Sequence, residues 1–125
     1  MILADTDVLI DYLKGIQPAA ERIRSYATSQ SLCTSAVSCF ELLSGADQGK
    51  QSEEVRRLAS TLPVIPLDLE CAAQAAGVRR DLAARGVPIG MGDSLIAGIA
   101  LANGLQLFTR NRKHFEQVEG LRLVS

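Results

Sequence analysis

The chain opens on Ile2-Leu3-Ala4, an apolar run that stops at the carboxylate Asp5 and passes at once into a helical pattern. No polar residue interrupts the run, so both of its faces must be covered. That reads as a strand inside a parallel sheet rather than one with a wet face. In open α/β sheets, ligands bind just beyond the carboxyl ends of the strands. Asp5 stands at that place, although an Asp there also caps a helix. The choice between these uses turns on whether other acids converge on the same spot.

The rest of the chain alternates in the same way. A helix is predicted over 8–13, stopped by Gly15 and Pro18, and a more polar one over 19–27. Residues 31–34 read as a short strand, and Ser35 as the N-cap of a helix over 36–44 that Gly45 ends. Residues 53–62 are amphipathic through Val55, Leu58, Ala59 and Leu62. Val64-Ile65-Pro66-Leu67 reads as a third strand whose proline suits a sheet edge. Asp68 caps a longer helix ending near Arg85-Gly86, with Pro88 beyond it. Residues 91–103 form another helix, ended by Gly104, and 105–108 and 121–124 are the fourth and fifth strands. The pattern predicts a single α/β domain over residues 1–125. It is a three-layer α/β/α sandwich with a central parallel sheet of about five strands. Handed crossovers permit few topologies, and a central first strand with the chain winding outward both ways is the simplest.

Length and composition narrow the partners. A chain of 125 residues buries enough surface to fold without staples. Cys33, Cys39 and Cys71 are odd in number and lack C-x-x-C spacing, so they read as small core residues of a reducing compartment. The start carries neither a basic n-region nor a long apolar run, which predicts a cytoplasmic protein without a membrane span. The net charge of −1 excludes a strongly basic surface, so any nucleic-acid site must be a local patch. Few aromatics and no Trp argue against extensive base stacking.

Two internal acids lie on apolar stripes. Glu41 comes four residues after Val37, and Asp93 precedes Ile96, Ala97 and Ala100 by three, four and seven. Acids are seldom fully buried unless paired or bound to a metal. The plain alternatives are an N-cap role for Asp93 and a solvent-reaching edge position for Glu41. If strands one, two and four are neighbours, Asp5, Glu41 and Asp93 meet at one end of the sheet. Two such charges about 4 Å apart repel by roughly 4 kcal/mol at an effective dielectric of about 20. A shared proton with raised pKa values or a cation must offset that. Hard oxygen ligands without a Cys or His cluster favour Mg²⁺ or Mn²⁺, ions that activate water and steady a phosphoryl centre.

Four motifs fall in a fixed order: Ala4-Asp5-Thr6-Asp7-Val8-Leu9-Ile10-Asp11; Thr34-Ser35-Ala36-Val37 leading to Phe40-Glu41-Leu42 and Gly45; Ile89-Gly90-Met91-Gly92-Asp93-Ser94-Leu95-Ile96-Ala97; and Thr109-Arg110-Asn111-Arg112-Lys113-His114-Phe115. With these motifs the chain resembles the PIN-domain ribonucleases over its whole length, specifically the VapC-type toxins of bacterial toxin–antitoxin pairs. The resemblance implies an α/β/α fold, a carboxylate-bound Mg²⁺ or Mn²⁺, RNA cleavage, and inhibition by a cognate antitoxin. By position, Asp5, Glu41 and Asp93 match the family's metal and catalytic acids. Thr6, Asp7, Thr109 and Asn111 fall in supporting places: Thr6 reads as a helix cap or a bond to the Asp5 carboxylate, and Asp7 as a first-turn acid or one facing the same side as Asp5. The family often has a further acid after strand four; here Asn111 and His114 stand instead. That leaves open whether one or two metal ions bind. Asn111 can orient a ligand or water, and His114 reads as a phosphate contact or a structural residue at a helix end. Arg110, Arg112 and Lys113 are candidate RNA-binding residues, or else a solvated basic turn.

The same implied antitoxin should lie in an apolar groove and reach the acids, with an Arg pairing to them. A homodimer is the expected assembly, with helices 19–27 and 53–62 as candidate contacts. Two other readings stay open. Asp5-Thr6-Asp7-Val8 also looks like the nucleophile motif of haloacid-dehalogenase-type phosphatases. Against it, position 97 is Ala where a second acid belongs, and Lys14, Lys50 and Lys113 sit away from the expected lysine. A non-catalytic PIN-like binding domain is the third reading.

Overall fold

The computed structural model describes residues 1–46 and 49–125. In chain order they form β1 (Ile2–Ala4), α1 (Thr6–Lys14), α2 (Ala19–Thr28), β2 (Leu32–Ser35), α3 (Ala36–Gly45), α4 (Lys50–Thr61), β3 (Val64–Ile65), α5 (Leu69–Ala84), α6 (Met91–Asn103), β4 (Gln106–Phe108) and α7 (Arg112–Phe115). The sheet order is β3-β2-β1-β4, with every pairing parallel. The first strand is thus internal, with β2 and β4 as its neighbours, as the outward winding requires.

Register and alternation build the layers. Leu3 pairs with Cys33 and Leu107, while Ala4 pairs with Phe108. Successive strand residues face opposite ways. Leu3, Cys33 and Leu107 therefore join Ile96, Ile99 and Leu82 of α6 and α5 in one buried cluster. Ala4, Leu32 and Phe108 join Val8, Ile23 and Leu58 in the other. The continuous apolar runs of the strands are explained by these two cores, one on each face. Gly98 brings α6 against α5 so closely that a Cβ there would lie 2.5 Å from Cys71 O and 2.6 Å from Ala75 N.

Several boundaries follow the caps. Ser35 Oγ accepts the Ser38 N–H at 3.0 Å, and Asp68 Oδ1 accepts the Cys71 N–H at 2.9 Å. Gly104, at φ 63°, stops α6 in the left-handed conformation. The helix expected over 8–13 begins earlier, at Thr6, because Asp5 is its N-cap. The expected fifth strand over 121–124 is reduced to one parallel bridge between Leu107 and Leu123. Leu121 N–H turns back to Val118 O, so the chain meets β4 only over a short stretch. Pairing of β3 ends at Ile65, just before Pro66, which has no N–H to offer.

The helices named as dimer contacts turn their apolar stripes inward. Ala20 and Ile23 of α2 and Val55 and Leu58 of α4 are buried in this chain's own core. Cys33, Cys39 and Cys71 are free thiols, two of them buried. Among the described residues no helix is long and apolar enough to cross a membrane.

Candidate active site

The parallel pairing of β1 with β4 continues one step past the strands, where Asp5 N–H donates to Phe108 O at 2.9 Å. This sets Asp5 beside Thr109 at the carboxyl end of the sheet. Asp5 is 4% exposed. Its Oδ1 accepts the Thr6 amide N–H at 2.8 Å, and its Oδ2 accepts the Thr109 hydroxyl at 2.7 Å. Asp5 is therefore both a helix cap and a member of the acidic group; the two uses coexist.

Thr6 does not cap. Its Oγ1 donates to Glu41 Oε1 at 2.6 Å and lies 2.9 Å from Ser38 Oγ. A hydroxyl carries one proton, and the short contact to a carboxylate takes it. Thr6 thereby ties α1 to the acid of α3. Across from it, Gly92 leaves room for that acid: a Cβ there would lie 2.8 Å from Glu41 Oε2.

Asp93 is not an N-cap. That position belongs to Gly90, and Asp93 lies in the first turn of α6, where a helix N-terminus favours negative charge. Its Oδ2 accepts from Asn111 Nδ2 at 3.2 Å, and the same amide lies 3.0 Å from His114 Nδ1. His114 therefore braces Asn111 from behind. Asp7 is brought into the same group. Its Oδ2 accepts the Arg110 amide N–H at 3.0 Å and lies 3.4 Å from Thr109 Oγ1. Its Oδ1 is buried without a hydrogen-bond partner.

The charges of these acids act on one another. Burial, above all, pushes the Asp5 carboxyl from its ordinary 3.8 up to about 7; the Thr109 hydroxyl opposes the rise and the Asp7 and Asp93 charges add to it. Asp93 is also pushed up, first by burial and then by Glu41. Like charges gathered in a poorly solvated place must take up protons or find a cation. Among the described residues no three acidic, His or Cys side chains are already closed around one point. The acids are strung together through Thr6, Thr109 and Asn111 instead. The donor set still fits a hard divalent ion: the acids offer carboxylate oxygens, one of them buried without a partner, and Gly92 keeps space at Glu41.

The basic segment is less free than its sequence implies. Arg110 Nε lies 2.7 Å from Asp11 Oδ2, and Asp11 is only 6% exposed. Arg112 Nη1 donates to Val124 O at 2.6 Å and its Nε is 3.7 Å from Glu116. Lys113 is exposed. Asp11 had no assigned role in the sequence, yet its spacing of four from Asp7 puts both on one face of α1. Together they clamp the Thr109–Asn111 segment. The phosphatase reading needs a metal-binding acid directly after a strand, and Asp93 instead opens a helix.

The PIN domain profile matches residues 2–121. The tRNA(fMet)-specific endonuclease VapC of Shigella flexneri is 33% identical over 124 residues, covering 96% of this chain and 93% of that protein. Ribonuclease VapC10 of Mycobacterium tuberculosis is 37% identical over 122 residues, covering 98% of this chain and 91% of that protein. Among solved structures, DNA-bound VapBC from Salmonella typhimurium is similar with a TM-score of 0.83 at 27% identity, covering 98% of this chain and 96% of that one. The chain belongs to the PIN-domain family, as a member of VapC type.

Proposed function

We propose that this protein is a ribonuclease that hydrolyses RNA phosphodiester bonds with Mg²⁺ or Mn²⁺, and that it is the toxin of a toxin–antitoxin pair. The observation that carries the reading is the group formed by Asp5, Glu41 and Asp93, each braced from behind by a neutral donor or hydroxyl. A bound divalent ion supplies water activation and charge neutralisation at a phosphoryl centre. The chain's own part is to hold three carboxylates in fixed orientation. Thr6 orients Glu41, Thr109 orients Asp5, and Asn111 orients Asp93. In this reading Lys113 and the outer edge of Arg110 meet the RNA backbone, whose phosphates position the strand. Asp11 limits how far Arg110 can swing.

The partner reading has its own support. Several solved relatives are toxin–antitoxin complexes, including VapBC-1 from nontypeable Haemophilus influenzae. A groove of about 490 Å³ is lined by Ile10, Leu13, Leu42 and Val55, with Glu41 in its wall. An amphipathic antitoxin segment with an Arg near its end fits such a surface. A homodimer is part of the proposal, with contacts sought outside the inward-turned stripes of α2 and α4.

Purified protein, freed of any antitoxin, should cleave RNA with Mn²⁺ or Mg²⁺ and stop in EDTA. Full cleavage in EDTA would overturn the mechanism, and no cleavage under either condition would overturn the activity. Expression without antitoxin should arrest growth. Healthy growth with abundant soluble, intact protein would contradict the toxin role.

A further inference from the structure

We infer that Asp7 is a fourth carboxylate of the cation site, presenting its buried Oδ1 to the ion that Asp5, Glu41 and Asp93 hold. This rests on the cation-dependent reading above and extends it to a residue that reading leaves aside.

The two oxygens of Asp7 live in different surroundings. Oδ2 faces the segment after β4, where the Arg110 N–H donates to it at 3.0 Å. That bond fixes the carboxylate and turns Oδ1 the other way. Oδ1 is buried and meets no donor. A buried acceptor without a partner costs on the order of 1–3 kcal/mol, more when charged. Such atoms are rare in folded proteins and each calls for a cause.

The surroundings of Asp7 supply one. It follows Asp5 by two residues at the start of α1, so both carboxylates stand at the carboxyl end of the sheet. Its charge is among those felt by both Asp5 and Asp93. Ionised carboxylates only accept hydrogen bonds, so Asp5 and Asp93 in their charged forms leave that oxygen unsatisfied. A cation satisfies all of them together.

The competing use of Asp7 is a latch. A first-turn acid suits the helix dipole, and Oδ2 holds the loop backbone. That use needs one oxygen only. An amide would serve it equally well, because its carbonyl also accepts the Arg110 N–H. Asp7→Asn therefore separates the two: it keeps the latch and removes the anionic oxygen.

Mn²⁺ binding is measured by calorimetry on the wild type, Asp7→Asn and Asp93→Asn. Asp7→Asn should bind Mn²⁺ at least about tenfold more weakly, with a metal-free melting temperature equal to wild type or higher. Wild-type affinity in folded Asp7→Asn, while Asp93→Asn loses the ion, would overturn the Asp7 assignment alone. A wild type that binds no Mn²⁺ would overturn the cation reading and the assignment with it. Should Asp7→Asn fail to fold, the wild type decides by carboxyl ¹³C spectra during a Mg²⁺ titration. The Asp7 side-chain resonance should move together with that of Asp5. An Asp7 resonance that stays still while Asp5 moves would overturn the assignment.

Discussion

Thr109 Oγ1 donates to Asp5 Oδ2 at 2.7 Å, across 104 positions of sequence. The bond joins the end of the first strand to the loop after the last one. It also opposes the burial that pushes Asp5 up to about 7. Thr109→Val keeps the shape and removes the donor. Asp5 should then hold its proton to higher pH, and the pH dependence of Mn²⁺ binding should shift upward. Stability should fall by about 1–3 kcal/mol above pH 7, where the carboxylate is charged and has lost its donor. Calorimetric titrations at several pH values check the shift; an unchanged profile contradicts it.

The metal-free protein should lose stability as pH rises. Asp5 goes up from 3.8 in the unfolded chain to about 7 in the fold. The folded state therefore binds more protons between those values, and unfolding is opposed more strongly at low pH. The contribution is fully present below the unfolded value and is gone once pH passes the folded one. Asp93 shifts in the same direction. Each pH unit between the two values is worth about 1.4 kcal/mol. In EDTA, melting temperature should fall from pH 5 to pH 8, and Asp5→Asn should flatten the slope. Mn²⁺ should raise melting temperature more at pH 8 than at pH 5, because protons compete for the same oxygens. Parallel curves for wild type and Asp5→Asn in EDTA would contradict the assignment.

Two glycines of α6 should respond differently to alanine. At Gly98 the new Cβ meets backbone of α5, at 2.5 Å from Cys71 O. Neither helix can yield locally, so Gly98→Ala should cost about 1–3 kcal/mol or more. At Gly92 the Cβ meets only the tip of Glu41, at 2.8 Å from Oε2. That side chain can swing away, and alanine favours a helix. Gly92→Ala should therefore melt near the wild-type temperature yet cleave RNA more slowly. Denaturant melts and cleavage rates on the two variants test the contrast.

Much of this was legible from residue pattern, and the exceptions have causes. Gly104 marks the end of α6 because only the left-handed conformation fits there. Asp68 and Ser35 mark helix starts because their side chains accept the expected amide N–H groups. The internal place of β1, between β2 and β4, followed from the outward winding of the chain. Residues 121–124 looked like a strand because Leu121, Leu123 and Val124 form an apolar run broken only by Arg122, yet only Leu123 bridges to β4. Strand pairing depends on a partner's register, which local pattern does not carry. The double use of Asp5 was hidden because a cap and a site acid share one sequence signature. Asp11 was missed because a salt bridge to Arg110, ninety-nine positions away, leaves no local trace.

The central claim is that the acids brought together by this fold cut RNA through a bound cation, and Asp93→Asn tests it most directly. The fold should survive, since Gly90 and not Asp93 occupies the N-cap and an asparagine carbonyl can still accept from Asn111. Removing one charge also relieves repulsion, so metal-free stability should match or exceed wild type. Each tenfold loss of rate corresponds to about 1.4 kcal/mol of barrier. The measurement is RNA cleavage in Mn²⁺ by wild type and folded Asp93→Asn, both purified without antitoxin. Cleavage by the variant should fall by orders of magnitude; a folded Asp93→Asn protein that cleaves at the wild-type rate would contradict the account.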